Sequence, residues 1–248
     1  MPKLRLDQLL VDRALAPSRA KAQAVVLSGN VYVAGVRVDK AGALVAADAP
    51  IELRGEALPY VSRGGVKLAG ALDAFAVDPA GKRCLDVGAS TGGFTDCLLQ
   101  RGAASVAAVD VGYGQLAHRL RTDPRVLVKE RTNARTLEPA DLGGQVDLVV
   151  VDASFIGLGK LLDAIRRCLR PGGELVALLK PQFEVGREEA SRGRGVVRDE
   201  NVRRAAIEGV VADVLSAGFD VKGTCDSSLA GPKGNVEAFV YAIRGGGG

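Results

Sequence analysis

The feature that most constrains this chain is an alternation that begins at residue 83. Short apolar runs at Arg83–Val87, Val106–Val109, Val126–Lys129, Val146–Asp152 and Glu174–Lys180 are separated by turns and by stretches of helical period. Two further runs, Phe219–Thr224 and Glu237–Ile243, close the pattern. Helical periods fall near 94–101, 115–121, 158–169 and 200–217. Runs such as VDLVVVD and ELVALLK are apolar almost throughout, which suits strands covered on both faces. Strand–helix alternation of this kind predicts an α/β fold built on a seven-stranded, mostly parallel, doubly wound sheet. Ligands of such sheets sit beyond the carboxyl ends of the strands.

The first turn of the pattern is the most informative. Residues 84–96 read CLDVGASTGGFTD. A strand that runs through glycines into a helix aims backbone N–H groups at the helix N-terminus, and glycine lets a ligand approach the backbone. A dinucleotide-binding turn needs G-x-G-x-x-G, and Gly88-Ala89-Ser90-Thr91-Gly92-Gly93 lacks that spacing. A phosphate loop needs a lysine after its last glycine, and Phe94 stands there instead. The remaining common ligand of this architecture is S-adenosylmethionine. The turn, with Asp86, Gly88, Ser90, Thr91, Gly92, Gly93 and Phe94, is expected to hold its amino-acid end. Asp110, followed by Val111, ends the second strand, where a carboxylate can accept two ribose hydroxyls. Asn133 follows the third strand, placed to meet adenine edges, and Asp152 closes the fourth.

A second set of polar residues converges on the same end. Asp152 and Lys180 both end central strands, and adjacent parallel strands lie about 4.8 Å apart. Ser62 can cap a helix with the apolar face Val66, Leu68, Ala69, Leu72 and Phe75. Lys67 sits in the first turns of that helix, where a cation opposes the macrodipole, so another role is expected for it. Lys67 and Glu237 can join Asp152 and Lys180 across the cleft. His118, the only histidine, is read as a surface or RNA-facing residue, since a catalytic base needs an orienting partner.

Residues 1–60 form a separate unit. Leu6, Leu9, Leu10 and Ala14 recur at helical spacing, Pro17 stops that helix, and Ser18 can cap a second one over residues 19–28. Short β segments at Val31–Val33, Val36–Val38 and Pro50–Leu53 follow. Residues 57–62 read as a linker to a larger unit, 63–248. The chain carries 33 basic and 29 acidic residues, a net charge of +4, which accommodates a nucleic-acid partner without requiring one. Cys84, Cys97, Cys168 and Cys225 show no zinc-like spacing and read as small hydrophobes in a reducing compartment. No run is long and apolar enough for a membrane span, and the N-terminus lacks the apolar core of a signal peptide. A cytoplasmic protein is expected.

The N-terminal string RLDQLLVDR…SRAKAQAVVLSGNVYVAGVRV resembles the S4-type RNA-binding module, a small α+β domain. That resemblance implies that Arg5, Arg19 and Lys21 face RNA phosphates, contacts that give affinity and orientation rather than sequence choice. Lys67, Asp152, Lys180 and Glu237 resemble the K-D-K-E tetrad of the FtsJ-type ribose 2′-O-methyltransferases. With DVGASTGGFTD, DVGYGQLAHRLR, ERTNAR, KPQFEVG and GPKGNVE, the chain resembles the hemolysin-A (TlyA) family of ribosomal-RNA 2′-O-methyltransferases from about residue 3 to 243. The resemblance implies a Rossmann-like domain that binds S-adenosylmethionine and modifies a ribose, a cytidine in large-subunit RNA and in some members also small-subunit RNA. The short ends of this chain favour the large subunit. Arg63, Arg119 and Arg187 are further expected RNA contacts, the last in the glycine- and arginine-rich loop 186–198. No metal is called for, because the methyl donor carries its own leaving group.

The chemistry asks for such a tetrad. A ribose 2′-hydroxyl must lose its proton as it attacks. A lysine amine, ordinarily protonated up to about pH 10.4, accepts that proton only where positive charge or desolvation favours its neutral form. Lys180 is the expected base, with Lys67 supplying positive charge and Asp152 and Glu237 orienting the amines. Two other readings stand beside this one: a non-catalytic ribosome-assembly factor with a relict fold, which a complete tetrad disfavours, and a membrane-lytic protein, which the charged helices disfavour.

Overall fold

The computed structural model describes residues 2–27, 29–54, 58–154, 156–184, 196–231 and 234–246. Arg187 and most of the loop 186–198 lie outside the described residues, as do Phe155, Pro232, Lys233 and the last two glycines.

The N-terminal unit opens with a strand that the sequence pattern did not suggest. β1 (Lys3–Arg5) leads into α1 (Leu6–Asp12), then α2 (Arg19–Leu27), β2 (Val31–Val33), β3 (Val36–Arg37), β4 (Leu44–Ala46) and β5 (Ile51–Leu53). β1 pairs with β4 antiparallel, Leu4 opposite Val45, and the other three form a sheet in the order β3-β2-β5. α1 ends at Asp12, with Ala14 in the left-handed region at φ 55°, so the chain turns before Pro17 rather than at it. Ser18 does cap α2, its Oγ accepting from the Lys21 N–H at 3.3 Å. Leu6, Leu10, Ala22, Val26, Val31 and Val33 make the small core. Beside it lies Asp7, wholly buried. Its carboxylate accepts from Arg5 Nε and Nη2, Arg19 Nε, Gln23 Nε2 and the Gln8 N–H, at distances of 2.9–3.0 Å.

The larger unit follows α3 (Arg63–Phe75) and contains β6 (Arg83–Val87), α4 (Gly93–Gln100), β7 (Ser105–Val109), α5 (His118–Arg121), β8 (Val126–Lys129), β9 (Val146–Val151), α6 (Leu162–Cys168), β10 (Leu169–Leu179), α7 (Pro181–Glu184), α8 (Glu200–Ser216), β11 (Phe219–Asp226) and β12 (Ala238–Arg244). Seven strands form one sheet in the order β11-β12-β10-β9-β6-β7-β8. β8, β7, β6, β9 and β10 are parallel, and β12 runs antiparallel to both β10 and β11. The order reverses between β6 and β9, which places the switch point beside the glycine turn. Two expected helices are shorter than their periodicity. The stretch 115–121 is helical only from His118, and 158–169 divides into a 3₁₀ turn at Leu158–Lys160 and α6. In β10 the ladder to β9 shifts register between Leu169 and Glu174, across Pro171, Gly172 and Gly173.

Strand alternation decides what reaches the site. Leu85, Val87, Val149, Val151, Ala177 and Leu179 pack toward α6 and α8. Cys84, Leu148, Val150, Val176, Leu178 and Phe239 pack toward α3 and α4. Successive side chains of a strand face opposite ways. Asp86 therefore faces the α3–α4 side of the sheet, where Glu237, just before β12, meets Lys67 of α3, while Asp152 and Lys180 stand just past the ends of β9 and β10. The linker is fixed to this side too: the Val61 N–H donates to Asp96 Oδ2 at 2.8 Å, and Gln100 Nε2 donates to the Pro59 carbonyl at 2.9 Å. No helix among the described residues is long and apolar enough to cross a membrane.

Candidate active site

The glycine turn has a steric reason. Gly88 sits at φ 85°, and a Cβ there would lie 2.7 Å from the Asp152 carbonyl oxygen. Only glycine meets both conditions. Gly92, at φ 91°, is the N-cap of α4 and has no side chain to cap it. Asp86 takes over that task from the neighbouring strand: its Oδ2 accepts from the Thr95 N–H at 2.9 Å and from the Thr95 hydroxyl at 2.6 Å. Asp86 is wholly buried, and its Oδ1 has no hydrogen-bond partner among the described residues. Burial first, then the nearby Asp152 and Asp110, pushes its carboxyl up to about 7, against the bonds from Thr95. Ser62 does not cap α3 as expected; its Oγ packs instead against Gly93 and Gly64.

Two cavities open at the carboxyl ends of the strands. The larger, about 340 Å³, is lined by Gly88, Ser90, Asp110, Val111, Gln115, Asn133, Asp152 and Ser154, among others. The smaller, about 180 Å³, lies between the two units: Leu27, Gly29 and Asp39 border it on one side, and Arg63, Lys67, Thr91, Gly93, Phe94 and Asp152 on the other. Gly88, Ser90 and Asp152 belong to both walls. Asp110 is held by backbone, its Oδ2 accepting from the Ser90 N–H at 2.8 Å and its Oδ1 from the Gly112 N–H at 2.6 Å. Asn133 Oδ1 accepts from the Arg135 N–H at 3.1 Å. The residues proposed for S-adenosylmethionine thus divide. Asp110, Val111 and Asn133 face the larger cavity, and Thr91, Gly93 and Phe94 face the smaller. Asp86 and Gly92 line neither and support the turn from beneath.

The larger cavity fits the implied methyl donor in size and in donor set. About 300 Å³ is the lower range for small-molecule sites. Its polar groups include a carboxylate pinned by backbone, Asp110, and a carboxamide, Asn133, and Gly88 supplies a stretch of wall without a side chain.

The tetrad is arranged as two ion pairs. Lys67 Nζ donates to Glu237 Oε2 at 2.5 Å, and both residues are buried, 8% and 1% exposed. Glu237 is held by a tight turn, since a Cβ on Gly231 would come within 2.6 Å of its Oε1. Lys180 Nζ lies 2.5 Å from Asp152 Oδ1, in a more open setting. That contact lacks hydrogen-bond geometry, and Asp152 Oδ1 has no hydrogen-bond partner among the described residues; a directed bond from Lys180 goes to Ser154 Oγ at 2.8 Å. Asp152 and Lys67 line the smaller cavity, and Lys180 lies behind Asp152 in a small recess with Phe183 and Glu184.

The basic residues expected at RNA are placed on the surface in different ways. Arg5 and Arg19 share Asp7 and leave about half of each side chain exposed, 48% and 52%. Lys21 is exposed. Arg63 lies at the mouth of the smaller cavity, donating to the Ala230 carbonyl at 3.3 Å, and burial followed by the neighbouring Arg37 pushes its pKa down. Arg119 pairs with Asp96. Gln115, Ser154 and Asp39 line the cavities without having been singled out in the sequence. Ser154 alone carried a signal, since it stands two residues after Asp152 at the same strand end.

A parallel sheet with a glycine turn at its switch point and charged side chains gathered at its carboxyl ends defines the methyltransferase class that the sequence resembles. Comparison with known proteins places it more closely. Residues 60–244 match the family described as FtsJ-like methyltransferase, and residues 4–51 match the S4 domain. The chain is 48% identical over 240 residues to the 16S/23S rRNA (cytidine-2'-O)-methyltransferase TlyA of Mycobacterium tuberculosis, covering 96% of this chain and 89% of that one. It is 38% identical over 241 residues to the protein named Hemolysin A of Brachyspira hyodysenteriae, covering 97% and 100%. Among solved structures, a hemolysin-named protein from Streptococcus thermophilus superposes with a TM-score of 0.77 at 42% identity, covering 99% of this chain and 90% of that one. The chain belongs to the FtsJ-like methyltransferase family and, within it, to the TlyA group joined to an S4 domain.

Proposed function

We propose that the protein transfers a methyl group from S-adenosylmethionine to the 2′-hydroxyl of a cytidine ribose in ribosomal RNA. The observation that carries this reading is the shared wall: a donor in the larger cavity and a ribose in the smaller meet across Gly88, Ser90 and Asp152. S-adenosylmethionine, when bound, supplies a methyl carbon activated by a positive sulfonium. Asp110 and Asn133 would hold its nucleoside end, and Gly88 and Ser90 of the shared wall would hold its amino-acid end. Lys180 would take the proton of the acceptor 2′-hydroxyl. Lys67, fixed by Glu237, supplies positive charge beside the developing alkoxide. Asp152 supports the Lys180 amine at the common wall. Arg5, Arg19 and Lys21 of the N-terminal unit take RNA phosphates, with Arg63 and Arg119 continuing the track on the larger unit. The relative from Mycobacterium tuberculosis is named for 16S and 23S RNA, which makes both ribosomal subunits substrates to test. Such a substrate places the protein in the cytoplasm.

The test is transfer of labelled methyl to separated ribosomal subunits and to naked RNA, followed by mapping of the modified ribose. Lys180→Ala is expected to lower transfer by about 10²–10⁴, the usual contribution of a positioned base, while donor affinity stays within about twofold. Loss of donor binding in that variant counts against Lys180 as the base. A wild type that binds donor and RNA yet transfers nothing favours the non-catalytic reading.

A further inference from the structure

We infer that Ser154 is a positioning residue for Lys180: its hydroxyl stations the amine beside Asp152, where an acceptor hydroxyl meets it. The inference rests on Lys180 as the base. Its geometry is local and specific. Lys180 leaves the end of β10 into a recess and lines neither large cavity. Among the described residues, two groups hold its amine there. Asp152 contributes charge at 2.5 Å but no directed bond. Ser154 Oγ accepts the directed bond at 2.8 Å. Glu184, the other acid in the recess, accepts the Leu158 N–H at 3.1 Å through Oε1. Across the site, Glu237 is taken by Lys67.

The chemistry of the partner matters. A carboxylate accepts hydrogen bonds only and so favours the ammonium. A hydroxyl both accepts and donates, so it can accept from the ammonium and donate to the neutral amine. Ser154 therefore keeps the amine in one place in both protonation states, which an ion pair alone does not. Ser154 also stands on the wall of the larger cavity and is solvent-exposed, so replacing it does not disturb a packed core. A base must lie within hydrogen-bond reach of the proton it removes, and a small misplacement is costly in rate.

The experiment compares wild type with Ser154→Ala, Ser154→Thr and Ser154→Val. Threonine and valine have nearly the same shape and differ in the hydroxyl. Methyl transfer to ribosomal RNA is expected to lose roughly tenfold in kcat in the alanine and valine variants, a fraction of a full base contribution. With donor held at saturation, KM for RNA is expected to stay unchanged, and threonine is expected to restore the rate. In parallel, each protein without donor or RNA is treated with limiting acetic anhydride, and acetylation of Lys180 is read by mass spectrometry. An amine released from Ser154 should be labelled several-fold faster in the alanine and valine variants than in wild type and the threonine variant. Equal kcat in wild type and Ser154→Ala overturns the inference, as do equal losses in the threonine and valine variants. Labelling that ignores the hydroxyl overturns it too. A wild type that transfers no methyl, while labelling still follows the hydroxyl, removes the methyltransferase reading and upholds the hold of Ser154 on Lys180.

Discussion

Asp7 in the N-terminal unit and Asp86 under the glycine turn are both wholly buried carboxylates, yet their surroundings treat them in opposite ways. Asp7 accepts from two arginines, a glutamine and a backbone N–H. The bond from Arg5 leads the causes that hold its carboxyl well below the usual range. Among the described residues Asp86 accepts only from Thr95, through one oxygen, and burial pushes its carboxyl up to about 7. Burial alone does not set the state of a charge; the number and charge of the donors do. The unit with the small core uses a saturated ion cluster to fix two helices. The unit with the large core tolerates an incompletely satisfied acid beside its ligand site.

The two acids are expected to tilt stability with pH in opposite directions. Asp7 has a lowered folded pKa, so its contribution is complete above the ordinary aspartate value of 3.8 and is lost as pH falls below it. Asp86 has a raised folded pKa. Its contribution is complete below 3.8 and is lost as pH rises toward about 7, beyond which the dependence is flat. The largest expected effect is from Asp7→Asn. It removes the charge that both arginines share, and the N-terminal unit should lose about 2–4 kcal/mol at neutral pH, discounted because the arginines are half exposed. Hydrogen exchange of α1 and α2 in the full chain reads this loss, which should shrink below pH 4. A loss that is the same at pH 3 and pH 7 breaks the contrast.

Asp86→Asn is expected to act the other way. The amide keeps an acceptor for Thr95 and carries no charge, so at pH 8 the variant should gain on the order of 1–3 kcal/mol over wild type. The difference should grow between pH 4 and pH 7 and level off above. Thermal unfolding across that range measures it. A variant that is less stable than wild type at pH 8 would show that Asp86 is kept ionised by something other than Thr95.

These roles also mark where sequence reading stops. Asp152 and Lys180 were legible as residues that close neighbouring strands, and their pairing follows from that position, as the pairing of Lys67 with Glu237 follows from the helix packed beside the sheet. The seven strands were legible for the same reason: their apolar runs are local signals. Pairing of β1 with β4 was not, because two three-residue strands about forty residues apart leave no local pattern. The arginines at 5 and 19 were visible as charges, but the buried acid that fixes them is a tertiary contact. Asp86 read as a ligand residue because it precedes a glycine turn. Its position in the fold makes it a substitute helix cap, a role created by a glycine at the N-cap of α4. Ser62 read as a cap because it precedes a helix, and the close approach of Gly93 takes its hydroxyl away.

The smallest expected effect tests the Asp86 side of the contrast without touching the acid. Thr95→Val keeps the side-chain shape and the backbone bond to Asp86 and removes only the hydroxyl donor at 2.6 Å. That donor lowers the carboxyl of Asp86 against the pull of burial, so its loss should move the midpoint upward from about 7. A hydrogen bond to an ionised acceptor is stronger than one to a neutral acceptor. The variant should therefore lose about 1–1.5 kcal/mol at pH 8, where Asp86 is mostly ionised, and less at pH 5, where it is protonated. Thermal unfolding at the two pH values separates the cases. An equal loss at both would mean that Asp86 does not change its charge between them, and the opposition between the two buried acids would then reduce to a difference in packing.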